Sequence, residues 1–200
     1  MEVIVLDGAD DVARVAAGII AEVFRGAPSG VFGLATGSSP LAIYSELACL
    51  FDQVDLDLTR IPGFALDEYV GIPIGRPESY TAVLQRVVTE PSRMDTRRVH
   101  VPDGRADDLD AACESYEEAI REAGGVDLQL LGIGRNGHIG FNEPTSSFAS
   151  RTRAKTLAPQ TRADNARFFA SPKEVTVHCL TQGFGTILEA RQLLLVATGI

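Results

Sequence analysis

The sequence is short of cysteine, of positive charge and of long apolar runs, and each shortage argues against a class of protein. Cys49, Cys113 and Cys179 are widely spaced with no CxxC pair, so neither a disulfide framework nor a zinc site is expected. The first two fall on apolar faces of helix-like segments, and the reading is reduced, buried thiols. Lys and Arg number 18 against 27 Asp and Glu, a net charge of −9. A nucleic-acid surface needs clustered cations, so no nucleic-acid partner is expected; a small anion still fits where a few cations and backbone amides converge. No apolar run approaches the ~20 residues that span a bilayer. The opening "MEVIVLDGAD" has no basic segment before a hydrophobic signal core. No membrane partner and a cytoplasmic location are expected. No linker-like stretch, internal repeat or low-complexity segment interrupts the chain. With 45% hydrophobic residues, residues 1–200 are expected to form one domain around one core.

What is present alternates. "VIVL" at 3–6 reads as a buried strand, and the next segment places Val12, Val15, Ala16, Ile19, Ile20 and Val23 on one helical stripe. The beat repeats in "GVFGLA" then "PLAIYSELACLF", "GFAL" then "ESYTAVLQRVV", "RRVHV" then "DLDAACESYEEAIREAG", and "VDLQLLGIG" before a glycine-rich loop. Then come strand 151–157, helix 162–170, strand 174–180, helix 183–190 and strand 191–199. Several strands are apolar throughout, which argues for an α/β fold, a Rossmann-like and mostly parallel sheet with helices on both faces. Ligands of such sheets bind beyond the carboxyl ends of the strands, and four of those ends stand out.

The first is "LATGSSP" at 34–40, where Thr36, Gly37, Ser38 and Ser39 enter a helix. Exposed amides and hydroxyls there suit a phosphate, although an ordinary capped strand-to-helix turn has the same composition; no Walker or GxGxxG pattern is present. The second, "FALDEYVG", delivers Asp67 and Glu68 from a buried strand. A carboxylate so placed is a candidate general base, and only one of the two need be inside. The third is "LGIGRNGHIGFNEP" at 131–144, too rich in glycine for a helix. Its His138 can exchange protons near neutral pH, with Asn136 and Glu143 close by to orient it. His100 and His178 lie in apolar strand contexts without ligand spacing to His138, so no metal is expected. The fourth gathers Arg151, Arg153, Lys155 and Arg167 in an otherwise acidic chain, a pattern of anion binding or of a solvated surface.

At these corners the sequence resembles the glucosamine-6-phosphate deaminase family, which turns glucosamine 6-phosphate and water into fructose 6-phosphate and ammonia. The resemblance runs in order through "ATGSSP", "LDEYVG", "PESY", "GIGRNGHIGFNEP", "SSFASRTRAKTL", "NARFF" and "GFGTILEARQLLLVATG". It implies an amino-sugar phosphate as small-molecule partner and no metal or organic cofactor. It puts Asp67 at the base that moves a proton between C2 and C1, His138 at the ring-opening acid/base and Glu143 at that histidine's partner. Thr36, Gly37, Ser38, Ser39 and Arg167 match the phosphate site. Ser146, Ser147, Arg153 and Lys155 match an allosteric site that some members use at a subunit interface, which implies a homo-oligomer. In the best-known members an aspartate stands where this chain has Asn136, so the relay is expected to rest on Glu143. The chain also stops at "VATGI", and the resemblance implies that the family's C-terminal portion, with a phosphate-site lysine, is lacking. Two rivals remain: a 6-phosphogluconolactonase-like hydrolase, whose loop does not continue into "IGFNEP", and a sugar-phosphate-sensing effector domain without turnover.

Overall fold

The computed structural model of the protein describes residues 1–51 and 56–198; Gly199, at the end of the last expected strand, lies outside them. The strands are β1 (Phe32–Leu34), β2 (Gly63–Ala65), β3 (Asp67–Tyr69), β4 (Val99–His100), β5 (Leu128–Gly132), β6 (Arg153–Thr156), β7 (His178–Thr181) and β8 (Gln192–Val196). The helices are α1 (Ala9–Gly26), α2 (Ser38–Phe51), α3 (Tyr80–Leu84), α4 (Leu109–Glu122), α5 (Pro159–Asn165) and α6 (Phe184–Leu188).

Five strands form a parallel sheet in the order β4-β2-β1-β5-β8. Helices α1 and α2 cover one face, where Ile20, Phe24, Ile43 and Leu47 pack with Phe32, Leu34, Leu128 and Leu130. On the other face, α4 sets Tyr116 and Ile120 against Val31, Phe64 and Val126. The inner strands β1, β2 and β5 are buried on both sides and so need unbroken apolar runs, which is why they read so plainly in the sequence; β8 is mostly exposed. The α/β expectation with helices on both faces is met.

The remaining strands do not extend that sheet. β3, β7 and β6 form a separate antiparallel sheet with a small core of Tyr69, Ile72, Phe141, Leu157, Phe169, Val175 and Cys179. Along β6, half-buried Arg153 and Lys155 alternate with exposed Ala154 and Thr156, as expected of an antiparallel edge with one face in solvent. Residues 3–6 form no strand. They pair with no described strand, and Val3, Ile4 and Val5 are 72%, 53% and 89% exposed; an apolar run becomes a strand only when another offers it a ladder. In α1 the deepest stripe is Ala13, Ala16, Ala17, Ile20, Ala21 and Phe24, with Val12, Val15, Ile19 and Val23 on its half-buried shoulders. Cys49 is exposed rather than buried, and all three cysteines are free. The helix expected at 162–170 starts earlier, at Pro159, whose fixed φ suits a first helical turn.

Glu117 of α4 ties the two sheets together. Its carboxylate accepts from the Thr152 amide at 2.8 Å and from the hydroxyls of Thr152 and Thr186, and it pairs with Arg151, which also holds Glu189. Burial alone would raise its pKa, but these donors outweigh that and hold it below the ordinary carboxylate range. A carboxyl depressed in the folded state stabilises the protein above the unfolded pKa, and that stability is lost as pH falls through the folded value. Glu117→Leu is expected to cost about 2 kcal/mol at pH 7, since Arg151 is partly screened by solvent, and to flatten the fall in stability below pH ~4.5. Urea melts of both proteins between pH 7 and pH 3 measure the two effects.

Candidate active site

From β1 the chain builds outward to β2 and β4, then returns to lay β5 and β8 on the opposite side of β1. The connections after β1 and β5 therefore diverge, leaving a crevice at the carboxyl ends of the strands. A cavity of about 780 Å³ opens there, ample for a small charged metabolite.

Thr36, Gly37, Ser38 and Ser39 all line it. Gly37 turns the chain with φ +111° into α2, a conformation that side chains disfavour, and the first amides of this 14-residue helix have no intrahelical acceptor. The Ser39 hydroxyl meets that of Thr198 beyond β8 at 3.3 Å. Arg167 lines the same cavity, its guanidinium 4.8 Å from the ring centre of Phe168. Arg86 and Arg135 join it there, and neither figured in the sequence reading. Arg135 was in plain view in "GIGRNGH"; Arg86, on a single π turn after α3, left no local signal.

His138 reaches the cavity from the loop after β5, and its position explains Gly134. A Cβ on Gly134 would lie 2.2 Å from the imidazole Cε1, so only glycine leaves room for the ring. Asn136 and Glu143 stand behind the histidine and do not line the cavity. Glu143 accepts from the Asn136 side-chain amide at 2.7 Å and from the Thr161 hydroxyl. A carboxylate can only accept, so this bond fixes the orientation of the amide and turns Asn136 Oδ1 toward His138. Oδ1 accepts from the His138 backbone amide at 3.1 Å and lies 2.6 Å from Nδ1. Nδ1 therefore bears a proton, which in the neutral imidazole makes Nε2 the bare nitrogen. This corrects the expected relay. Asn136, not Glu143, is the direct partner of the histidine, because its side-chain amide lies between the imidazole and the Glu143 carboxylate and bonds to both. Thr161, on α5, could not be anticipated from the sequence.

Asp67 also lines the cavity, at the point where β2 hands over to β3. Both it and Glu68 are buried, at 4% and 5% exposure, where only one was required to be. They differ in their partners. Glu68 points away from the cavity and accepts from the amides of Tyr69, Tyr80 and Thr81 and from the Thr81 hydroxyl, so it holds the start of α3. Asp67 meets no donor among the described residues, and burial, with a smaller push from the Glu68 carboxylate, raises its pKa well above the usual range. Such a group holds protons strongly and suits proton transfer.

Arg151 is absent from the cavity because Glu117 and Glu189 take its guanidinium. Ser146, Ser147, Arg153 and Lys155 do not line it either. Arg153 and Lys155 share one side of β6, and the Ser147 hydroxyl caps the Ala149 amide. Among the described residues no group of three or more His, Cys, Asp or Glu is placed to hold a metal ion, and no helix is long and apolar enough to cross a membrane.

Residues 7–200 match the family model described as glucosamine-6-phosphate isomerases/6-phosphogluconolactonase. The chain is 56% identical over 199 residues to a glucosamine-6-phosphate deaminase of Pseudarthrobacter chlorophenolicus, covering all of this chain and 76% of that one. It is 52% identical to one of Mycolicibacterium smegmatis, covering all of this chain and 77% of its relative. A solved structure described as a monomeric glucosamine-6-phosphate deaminase superposes with a TM-score of 0.94 at 41% identity, over 98% of this chain and 81% of that one. A 6-phosphogluconolactonase from Thermotoga maritima shares the fold at a TM-score of 0.71 and 21% identity, over 96% and 80%.

The hydrogen-bond chain behind His138 makes a spectroscopic prediction. Glu143→Leu removes the acceptor that orients the Asn136 amide, freeing it to flip its nitrogen toward the ring. The imidazole ¹⁵N shifts of His138 are expected to change from a single Nδ1–H tautomer to a mixture; an unchanged spectrum would mean that Glu143 does not set the tautomer.

Proposed function

The chain belongs to the glucosamine-6-phosphate isomerase and 6-phosphogluconolactonase family, and on that premise we propose that it converts glucosamine 6-phosphate and water to fructose 6-phosphate and ammonia. The observation behind this reading is that Asp67 and His138, delivered by different strand ends, line one cavity with a phosphate cradle. The lactonase is only a distant relative of this chain, sharing its fold, and a sensing domain has no use for a proton acceptor and an imidazole on one cavity wall.

The chemistry follows from the geometry. The amides of α2, the hydroxyls of Thr36, Ser38 and Ser39, and Arg167 hold the phosphate, so that remote binding energy orients C1 and C2. His138 Nε2 takes the proton of the anomeric hydroxyl and returns it to the ring oxygen, opening the ring. Asn136 keeps that nitrogen bare, and Glu143 keeps Asn136 in place. Asp67 removes the C2 proton and delivers it to C1, while one proton of the C2 ammonium passes to the C1 oxygen, leaving a C2 iminium that water hydrolyses with release of ammonia.

A second sugar-phosphate site in a homo-oligomer is a separate reading, supported by Arg153 and Lys155 on one side of β6, neither paired with a carboxylate among the described residues. Since the structural relative is described as monomeric, the test is direct: sigmoidal kinetics relieved by N-acetylglucosamine 6-phosphate support the site, and hyperbolic kinetics unchanged by it remove it. A cytoplasmic location is inferred from the substrate, because phosphorylated sugars do not cross membranes unaided.

Ammonia release from glucosamine 6-phosphate tests the activity. Asp67→Asn is expected to lower kcat by ~10²–10⁴ and to slow deuterium incorporation at C1 in heavy water to the same degree. Glu68→Gln keeps one acceptor oxygen and so two of the four acceptor contacts, and it is expected to affect stability more than the deuterium exchange. Arg167→Ala is expected mainly to raise KM; a normal KM would place Arg167 outside the phosphate site.

A further inference from the structure

Three carboxylates line the cavity: Asp67, Glu78 and Asp164. Glu78 accepts two bonds from Arg76, at 3.0 and 3.1 Å, and Asp164 accepts from the Gln160 amide at 2.9 Å. Asp67 accepts none. The groups that face it offer no cation: Glu68 lies beside it on β3, and the buried Tyr69, Tyr80, Tyr116 and Cys179 all feel its charge. The cations of the cavity are Arg86, Arg135 and Arg167, none in an ion pair among the described residues. An anionic ligand group thus has several partners, while of the three carboxylates only Asp67 is both buried and without a donor among the described residues.

We propose that Asp67 is the counterion of the substrate's C2 ammonium group, and so the residue by which the cavity selects 2-amino over 2-hydroxy sugar phosphates. This rests on the deaminase reading and deepens it. Glucosamine 6-phosphate bears two charges of opposite sign, a phosphate and an ammonium. The carboxylate that removes the proton on C2 stands over that carbon, one bond from the nitrogen it bears, so the geometry of proton transfer also brings the ammonium within hydrogen-bond reach. A C2 hydroxyl in the same place can still donate to the carboxylate but brings no positive charge, so the Coulomb attraction of the ion pair is lost. It also leaves a buried carboxylate without a countercharge, which is costly. The amino group therefore supplies what the protein withholds from Asp67, while Glu68, saturated by its four donors, cannot take over this role.

Two unreactive open-chain ligands test the proposal: 2-amino-2-deoxyglucitol 6-phosphate and glucitol 6-phosphate, which differ only at C2. By calorimetry at pH 7, the wild-type chain is expected to bind the amino ligand at least ~10-fold more tightly. Asp67→Asn is expected to bring that ratio close to one while leaving the affinity for glucitol 6-phosphate largely unchanged, which also reports that the variant is folded. If both Asp67→Asn and Asp67→Ala bind neither ligand, the wild-type ratio decides. A wild-type ratio near one, or a ratio preserved in Asp67→Asn, overturns the proposal. Ammonia release measured alongside separates the two readings: turnover with no preference for the amino ligand leaves the deaminase standing and sinks the counterion, whereas no turnover and no binding of either ligand sinks both.

Discussion

The site depends on one residue's backbone being shared between two sheets. Leu66 donates its amide to Leu34 of β1 at 3.1 Å, as the last rung of the parallel sheet, and its carbonyl accepts from Gln182 at 2.7 Å, at the start of the antiparallel one. The chain bends there, and Asp67 follows at once. The bend is secured on all sides: the Ala65 carbonyl accepts from Gln182 Nε2 at 2.9 Å and from the Tyr116 hydroxyl at 2.7 Å, and Asn142 binds the Gln182 carbonyl at 2.7 Å. A buried backbone leaving one ladder for another must have each polar group met, and these side chains meet them. Because Asn142 belongs to the same loop as His138, the network that bends β2 also positions the histidine's loop against Asp67.

The acids around the site divide the labour. Glu68 fastens α3 to the second sheet, Glu117 fastens α4 to β6 and α6, and half-buried Glu143 fastens the histidine loop to α5 through Thr161. Glu68 and Glu117 are buried and each meets several donors from another segment, which is what lets a buried charge hold a fold together rather than weaken it. Asp67 is the exception. Its lack of partners costs stability, and a group held in that state suits proton transfer for the same reason, since nothing in the protein competes for its lone pairs.

Legibility in the sequence followed the physics of each segment. "GVFGLA", "GFAL" and "VDLQLL" were readable as strands because burial on both faces demands apolar residues throughout, and α4 because Asp108 caps it and its apolar face repeats. "VIVL" at 3–6 has the same local character and forms no strand, since pairing is a property of a neighbour and not of the run itself. Cys49 misled for a related reason: helical periodicity sets which residues share a face, while exposure depends on what packs against that face. The second sheet was invisible because β6 and β7 are marked by what they pair with.

Asp67, His138 and the Thr36–Ser39 turn were legible as chemistry, because reactive side chains at strand ends and small residues before a helix are local features. Arg151 looked equally available until Glu117 and Glu189 claimed it, and Arg86 and Thr161 had no mark at all. The sequence by itself determined the repertoire: the strands that must be buried, the glycines that keep the histidine's segment from being a helix, and the groups able to move protons or hold a phosphate. Only the tertiary structure decided which carboxylates are satisfied and which one is left bare. Hydrogen bonds between segments tens of residues apart depend on three-dimensional reach, which no local pattern of residues encodes.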